Sequence, residues 1–362
     1  MSANFFVLSP CKFKIQALTV AGTLEVAQGS NPTITADSFT LAAGGTINTA
    51  ALPNGTPPSV KGSSLTFNIA AGVDIYGTID LTGHAGIDGG AGENYGEDAG
   101  DLTINATSIT VSGSIISNGG YGVRRNFGWP SQPISGGGNG GVISLNAATN
   151  VTVGGILSAN GGSSSNAFLG MKSNGGNGGI FAISYGGTTN FIGGTFNANG
   201  GLEFGGYLVR GSAGDLAITY TGVGTPPALP VITVQEIEPN GGLNTAQQLI
   251  RGTHSTKVNA FVDGSDTTNL YWQFGGNPAE DLYEIEFLVA GPITVDLVPA
   301  IPTGIDLDLF IIARNGVGFG QSSTPSGTEQ IMLPSLPAGK YQIAVSWFSG
   351  VGGSDYTLTV RP

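Results

Sequence analysis

Charged side chains are scarce in this sequence, and the places where they gather decide what chemistry is open to it. Five carboxylates, Asp88, Glu93, Glu97, Asp98 and Asp101, fall in one glycine-rich stretch, residues 84–101. Such oxygens are the donors that Ca2+ takes. Their spacing is neither that of an EF-hand loop nor that of the nonapeptide calcium repeat, so the stretch reads as a solvated acidic loop. A second stretch, residues 121–138, carries Arg124, Arg125, Phe127 and Trp129, a cationic and aromatic group in otherwise neutral surroundings. Loops on a rigid scaffold are where binding residues collect, so these four are candidates for ligand or partner contact, against packing on the scaffold itself. Glycoside cleavage needs two carboxylates at a fixed separation, and no aspartate pair recurs at matched positions in the repeats described next. His84 and His254 stand alone, without metal-ligand spacing. There is no G-x-S-x-G elbow, and GGGNGG does not sit between a strand and a helix as a phosphate cradle would. The expectation is a protein without enzymatic activity.

The elements that must position these residues are repeats. GDLTINATSITVSGSIISNGG begins at Gly100, GVISLNAATNVTVGGILSANGG at Gly141 and GIFAISYGGTTNFIGGTFNANGG at Gly179. Each copy has an alternating strand, a corner of small residues, a second alternating strand, a glycine, a third short strand and Asn-Gly-Gly. Leu102, Ile104, Ile109, Val111 and Ile115 are apolar at period two, which sends one set of side chains to one face. One copy cannot bury that face alone, but stacked copies can, and this is the logic of a solenoid. Older copies run through Leu65–Gly83, Phe39–Thr49 and Leu18–Val26, and the motif restarts at Gly214. Gly and Asn accept positive φ, so the Asn-Gly-Gly triplets are expected at sharp bends. The fold class is all-β: a right-handed parallel β-helix over residues 1–222, a proline-rich linker over 223–232 and a β-sandwich over 233–362.

Composition limits the partners. The chain has 362 residues, 62 of them Gly, only 10% charged, with a net charge of −12. The surface is therefore covered by Ser, Thr, Asn and Gly, and the negative charge argues against nucleic acid or an anionic membrane. No apolar stretch is long enough to span a bilayer. The opening MSANFFVLSPCKFK does not read as a signal peptide, because its apolar run is short and its lysines follow it. Phe5 and Phe6 in that run fit a first strand or cap, or a segment that docks on a neighbouring molecule.

Beyond the prolines of TGVGTPPALPV the composition shifts, with 13 of the 24 acidic residues in the last third. The pieces VQEIEPNGG, DLYEIEFLV, DLDLFIIA, LPAGKYQIAV and DYTLTV alternate and are bounded by Gly, Pro or Asn, a pattern of seven to eight sandwich strands. Their order resembles the bacterial pre-peptidase C-terminal domain family: an E-x-E-x-N opening, a D-x-Y strand, a D-x-D-L strand, an L-P-A-G-x-Y strand and a closing Y-x-L-x-V. The resemblance implies a jelly-roll-like module attached to secreted or surface proteins. It also implies Ca2+ on the acidic opening, carried here by Glu236, Glu238 and Asn240. Where the family often has Asp next, this chain has Gly241, and Asp263 and Asp266 are candidates for the missing oxygens. Asp306 and Asp308 read instead as turn-capping residues.

The function expected is that of an extracellular or cell-surface structural or adhesive protein. It would assemble with copies of itself into a fibre, sheath or layer, with a calcium-stabilised docking module. The alternative is a protein that binds or degrades polysaccharide with Trp129, Arg124 and Arg125 at its groove. A virion-attached receptor-binding rod is a third reading.

Overall fold

The computed structural model describes residues 5–6, 15–50, 61–86, 95–123, 136–164, 174–202, 211–223, 225, 231–236, 246–252, 254–262, 280–300, 305–313, 315, 317–325, 328–350 and 353–362. These residues are all-β, with no helix among them, and so none long and apolar enough to cross a membrane. The chain divides into two compact units, Met1–Ala228 and Leu229–Pro362.

In the first unit the repeat is a repeat of strands. One copy gives Leu102–Ala106, Ser108–Val111 and Ser114–Ile116. The next gives Val142–Ala147, Val151–Val153 and Ile156–Ser158. Ile180–Tyr185, Phe191–Ile192 and Thr195–Asn197 follow. Each strand pairs in parallel with its equivalent in the neighbouring copy and in the same register. Register fixes which side chains stack. Leu65, Leu102, Ile143, Phe181 and Leu216 form one buried column of the first strands, and Ile47, Ile79, Ile115, Leu157 and Phe196 form one of the third strands. Phe181 meets Phe196 edge to face at 5.4 Å, so the two columns share an interior. Upstream, Thr33–Leu41 is long enough to pair with both Leu65–Ile69 and Gly72–Ile75. Phe5–Phe6 pairs in parallel with Leu24 and Glu25, which places this backbone as a first strand.

Polar columns lock the copies together. Asn139 donates its backbone N–H to Asp98 Oδ1 at 2.6 Å, Asn177 donates to Asn139 Oδ1 at 2.8 Å and Ser212 to Asn177 Oδ1 at 2.9 Å. A second column runs from Asn118 Oδ1 to the Asn160 N–H at 2.7 Å and from Asn160 Oδ1 to the Asn199 N–H at 2.8 Å. On the strand surface, Asn105 donates its amide to Asn68, Asn146 to Asn105, and the Ser184 hydroxyl to Asn146. Asn160→Ala would leave the buried Asn199 N–H without its acceptor. We expect a loss of about 2 kcal/mol in thermal unfolding, with Asn160→Asp keeping most of the stability. Equal losses in the two variants would show that the acceptor does not matter.

The second unit has two sheets. Val231–Gln235 pairs in parallel with Ser255–Val262, which continues antiparallel through Ser354–Arg361 and Gly291–Pro299 to Glu329–Leu336. Gln247–Gln248 pairs in parallel with Glu280–Phe287, followed antiparallel by Gly339–Gly350, Ile305–Ala313 and Gly318–Ser322. One face of the second sheet presents Asp281, Tyr283, Ile311, Ile343 and Val345, and Tyr283 reaches Tyr356 of the first sheet there. The opposite face buries Leu282, Phe310, Ile312 and Ala344 with Ala246. Asp306 and Asp308 stand inside the Ile305–Ala313 strand rather than at a turn, which corrects the capping role read from the sequence.

Candidate functional site

The glycine-rich stretches after each third strand build a layer of their own. Each leaves as an outward arm (81–86, 117–123, 158–164 and 197–202) and comes back as a return arm (95–100, 136–141, 174–179 and 211–214). The two kinds of arm interleave. Gly120 N donates to Glu97 O at 2.8 Å, Gly138 N to Gly120 O at 2.9 Å, Gly162 N to Gly138 O at 2.8 Å and Gly176 N to Gly162 O at 2.9 Å. The column continues from Gly201 N to Gly176 O and from Gly211 N to Gly201 O. Each arm also bonds its own kind one copy away, as Gly140 N does to Asn177 O and Gly119 N to Asn160 O, so hydrogen bonds run in more than one direction.

Only glycine permits this spacing. A Cβ on Gly162 would lie 1.9 Å from Gly120 O, one on Gly176 1.8 Å from Gly138 O, and one on Gly201 1.9 Å from Gly162 O. The sequence suggested bends of positive φ at Asn-Gly-Gly. Among the described glycines the left-handed ones include Gly29 and Gly44, and none belongs to those triplets. The triplet glycines are there for close approach of backbone to backbone.

The outer ends of the arms stack as well: Gly86 N donates to Tyr121 O, Gly122 N to Ser163 O and Ser164 N to Leu202 O. The stretches between outward and return arms therefore begin and end at one edge of the layer. Arg124, Arg125, Phe127 and Trp129 belong to one of them and lie outside the described residues. The aromatics that are described at this edge are Tyr95 and Tyr121, 50% and 66% exposed. The sequence reading passed over both. The signal available was position: each flanks a glycine arm next to a loop tip.

The acidic stretch is not simply solvated. Glu97 is 1% exposed, its Oε2 accepting from the His84 backbone N–H at 2.9 Å and from His84 Nδ1 at 2.7 Å, with Gln28 Nε2 3.4 Å from Oε1. Asp101 pairs with Lys61 and accepts the Val142 N–H at 2.9 Å, and Asp98 opens the asparagine column. These carboxylates are structural acceptors. Asp88 and Glu93 lie outside the described residues.

In the second unit, Glu236 is the one member of the predicted calcium set that is described. Its Oε1 accepts the Tyr283 hydroxyl at 2.8 Å and its Oε2 the Phe261 N–H at 3.0 Å. Tyr283 and Tyr356 hydroxyls lie 2.6 Å apart, and Tyr356 donates to Asp281 Oδ2 at 2.6 Å. Burial above all, then the charges around them (the carboxylates for Tyr283, Tyr283 and the carboxylates for Tyr356), pushes both phenols well above their ordinary range, so both stay protonated and their two hydrogens are shared over the three contacts from Glu236 to Asp281. These donors orient the Glu236 carboxylate. Gln235 and Asn259 are parallel partners, and in sequence Glu238 and Asn240 follow the first of the two strands and Asp263 and Asp266 the second. Those four lie outside the described residues. Among the described residues no group of three or more His, Cys, Asp or Glu is placed to hold a metal.

No family model and no curated protein matches the chain. Among solved structures, it is similar to the pre-peptidase C-terminal domain of a collagenase from Bacillus anthracis, at 14% identity and a TM-score of 0.22, over 37% of this chain and 99% of that one. It is similar to the CBM35 of Abf62 from Cellvibrio japonicus at 16% identity and a TM-score of 0.19, over 28% of this chain and 96% of that one. It is also similar to the enzymatically active domain of tailspike protein 4 of bacteriophage CBA120, at 9% identity and a TM-score of 0.19, over 96% of this chain and 64% of that one. At these scores none of the three carries an argument about what this chain is or does.

Proposed function

We propose that the protein is a non-catalytic, extracellular or cell-surface structural and adhesive protein. In this reading the first unit is a right-handed parallel β-helix that holds out a row of loop tips, and the second is a β-sandwich that serves as a docking module. The observation that carries it is the interleaved glycine column from Glu97 to Gly211, which fixes the bases of successive tips in register at one edge. A layer whose backbone groups bond one another leaves its tips to vary without disturbing the coils beneath. Absence of catalysis is part of this reading, in which Glu97, Asp98 and Asp101 serve to hold backbone and Glu236 and Asp281 to end a tyrosine chain.

Self-assembly is part of the proposal, through an edge strand such as Asp215–Tyr220, which is a template for another copy. Ca2+ is another part. Glu236, Glu238, Asn240, Asp263 and Asp266 would hold the ion, which would tie together the two segments that leave the paired strands Val231–Gln235 and Ser255–Val262. The test is electron microscopy and sedimentation of the full chain with and without EDTA. We expect fibres or layers that loosen on chelation, with an earlier unfolding transition in the second unit. Monodisperse monomers in every condition would remove assembly, and an unmoved transition would remove calcium.

A further inference from the structure

We infer that Asn174 is a site of spontaneous conversion to aspartate and isoaspartate, and that the same Asn-Gly dipeptide is guarded from this reaction where it joins one copy to the next. Neither assembly nor calcium bears on it. The chain has nine Asn-Gly pairs, and in four of them the side-chain carbonyl and the glycine N–H both bond a single residue of the next copy. Asn139 Oδ1 accepts the Asn177 N–H at 2.8 Å while Gly140 N donates to Asn177 O at 2.8 Å. Asn177 Oδ1 accepts the Ser212 N–H at 2.9 Å while Gly178 N donates to Ser212 O at 2.9 Å. Asn118 and Gly119 close on Asn160 in the same way, and Asn160 and Gly161 on Asn199. Each pair is a two-pronged clasp on the backbone of its neighbour. Asp98 and Ala99 make an equivalent clasp on Asn139.

Asn174-Gly175 opens the return arm that also carries Asn177-Gly178, and it makes no clasp. The Asn174 backbone carbonyl accepts from Gly137 N at 3.1 Å, but among the described residues neither its side-chain amide nor the Gly175 N–H has a hydrogen-bond partner. Gly175 packs on Gly201, where a Cβ would lie 1.9 Å from the carbonyl oxygen, so close approach explains the glycine without holding its N–H. Exposure does not separate the pairs, since Asn139, Asn174 and Asn177 are all exposed. Neither does sequence, since each of the three is followed by Gly-Gly. The clasp is what differs, and the reaction needs the groups that it holds. The glycine nitrogen gives up its proton and attacks Cγ of the asparagine before it. The N–Cγ bond forms, the amide C–N bond breaks and ammonia leaves. Water then opens the five-membered imide at either carbonyl, giving aspartate or isoaspartate with no change of oxidation state. In a clasp the nitrogen's proton is held by one backbone carbonyl and the side chain by one backbone N–H, so the ring closes only after both bonds open. At Asn174 neither bond stands in the way. Conversion there puts a negative charge at the foot of a loop tip, and isoaspartate also adds a carbon to the backbone.

The test is incubation of the full chain in mildly alkaline buffer, folded and in urea, followed by peptide mass mapping and isoaspartate labelling. In the folded chain we expect Asn174 to convert at least about tenfold faster than Asn139 and Asn177. In urea the three rates should converge, because the clasps are gone and the local sequence is shared. Asn174→Gln should remove the early acidic species seen on isoelectric focusing and leave the unfolding midpoint where it was. The comparison within the wild-type chain needs no variant to fold. Equal rates for the three in the folded chain, a gap that persists in urea, or an early acidic species that survives Asn174→Gln would each overturn the site. Assembly and calcium would be untouched by any of these results.

Discussion

Gly176→Ala should collapse the arm layer. The added methyl would sit 1.8 Å from the Gly138 carbonyl oxygen and 2.4 Å from its carbon, and both are backbone. No rotamer relieves that overlap, so one arm must move. If Gly138 moves, it gives up the bond its N–H donates to Gly120 O and the one its carbonyl accepts from Gly162 N, and strains the neighbouring bond from Asn177 N to Asn139 Oδ1. Overpacking together with two lost backbone hydrogen bonds predicts a loss of at least about 4 kcal/mol, or failure to fold. Gly154→Ala is the matched control, since its methyl would meet nothing closer than 3.9 Å and its backbone is not left-handed. That change should be neutral or slightly stabilising, within about 1 kcal/mol. Thermal and urea unfolding of the two variants decide the matter. If both unfold alike, the glycine column is incidental to stability.

The second large effect is a pair of opposed acid responses in the second unit. His254 is 3% exposed, and its Nε2 has no hydrogen-bond partner among the described residues. Burial lowers its pKa to about 4. Between about pH 6.5 and 4 the unfolded chain takes up a proton that the folded one refuses, so this residue makes stability fall as pH falls, by about 3 kcal/mol in full. Asp308 does the reverse. Burial, with Asp306 and Glu329 adding repulsion, raises its carboxyl to about 6. Glu329 is itself held by Ser322 and by the Thr324 hydroxyl and N–H. Between about pH 4 and 6 the folded chain keeps a proton that the unfolded one has lost, so stability falls as pH rises, by about 1–2 kcal/mol once solvent screening is allowed for. The two partly cancel, so the wild type should show a net fall of about 1–2 kcal/mol toward pH 4. Asp308→Asn should gain about 1–2 kcal/mol near pH 8, gain nothing near pH 4, and acquire the full acid slope of His254. His254→Gln should lose that slope and leave the opposite one. Urea unfolding followed by the buried Trp347 across this range reports it. Parallel pH profiles for the two variants would refute both assignments.

The strands were the legible part. Apolar residues at period two in the sequence are the buried columns of the fold, from Leu102 and Ile104 to Ile109, Val111 and Ile115. Parallel stacking followed from the repeat, since a copy with one apolar face needs a neighbour on each side. The arms were not legible. Composition shows that Gly120, Gly138 and Gly162 are glycines, but their pairing joins segments about 20 residues apart through backbone alone, which leaves no side-chain pattern to read. Glu97 was misread for a related reason. Its partner His84 stands 13 residues away across a loop, and a charge in a glycine-rich run looks solvated until that partner is placed. Of the five predicted calcium ligands, Glu236 alone is described, and what orients it, Tyr283 and the Phe261 N–H, carries no acidic signature.

The glycine column also bears on how the chain folds as it is made. Each finished copy offers the next a row of carbonyls and asparagine oxygens, and the asparagine-column bonds that join them span 41, 38 and 35 residues. The entropy of closing each such interval is nearly constant, so the barrier recurs instead of growing with length. Synthesis lays the upstream copies down first, so the buried Glu97–His84 pair at the head of the column precedes the copies that continue it.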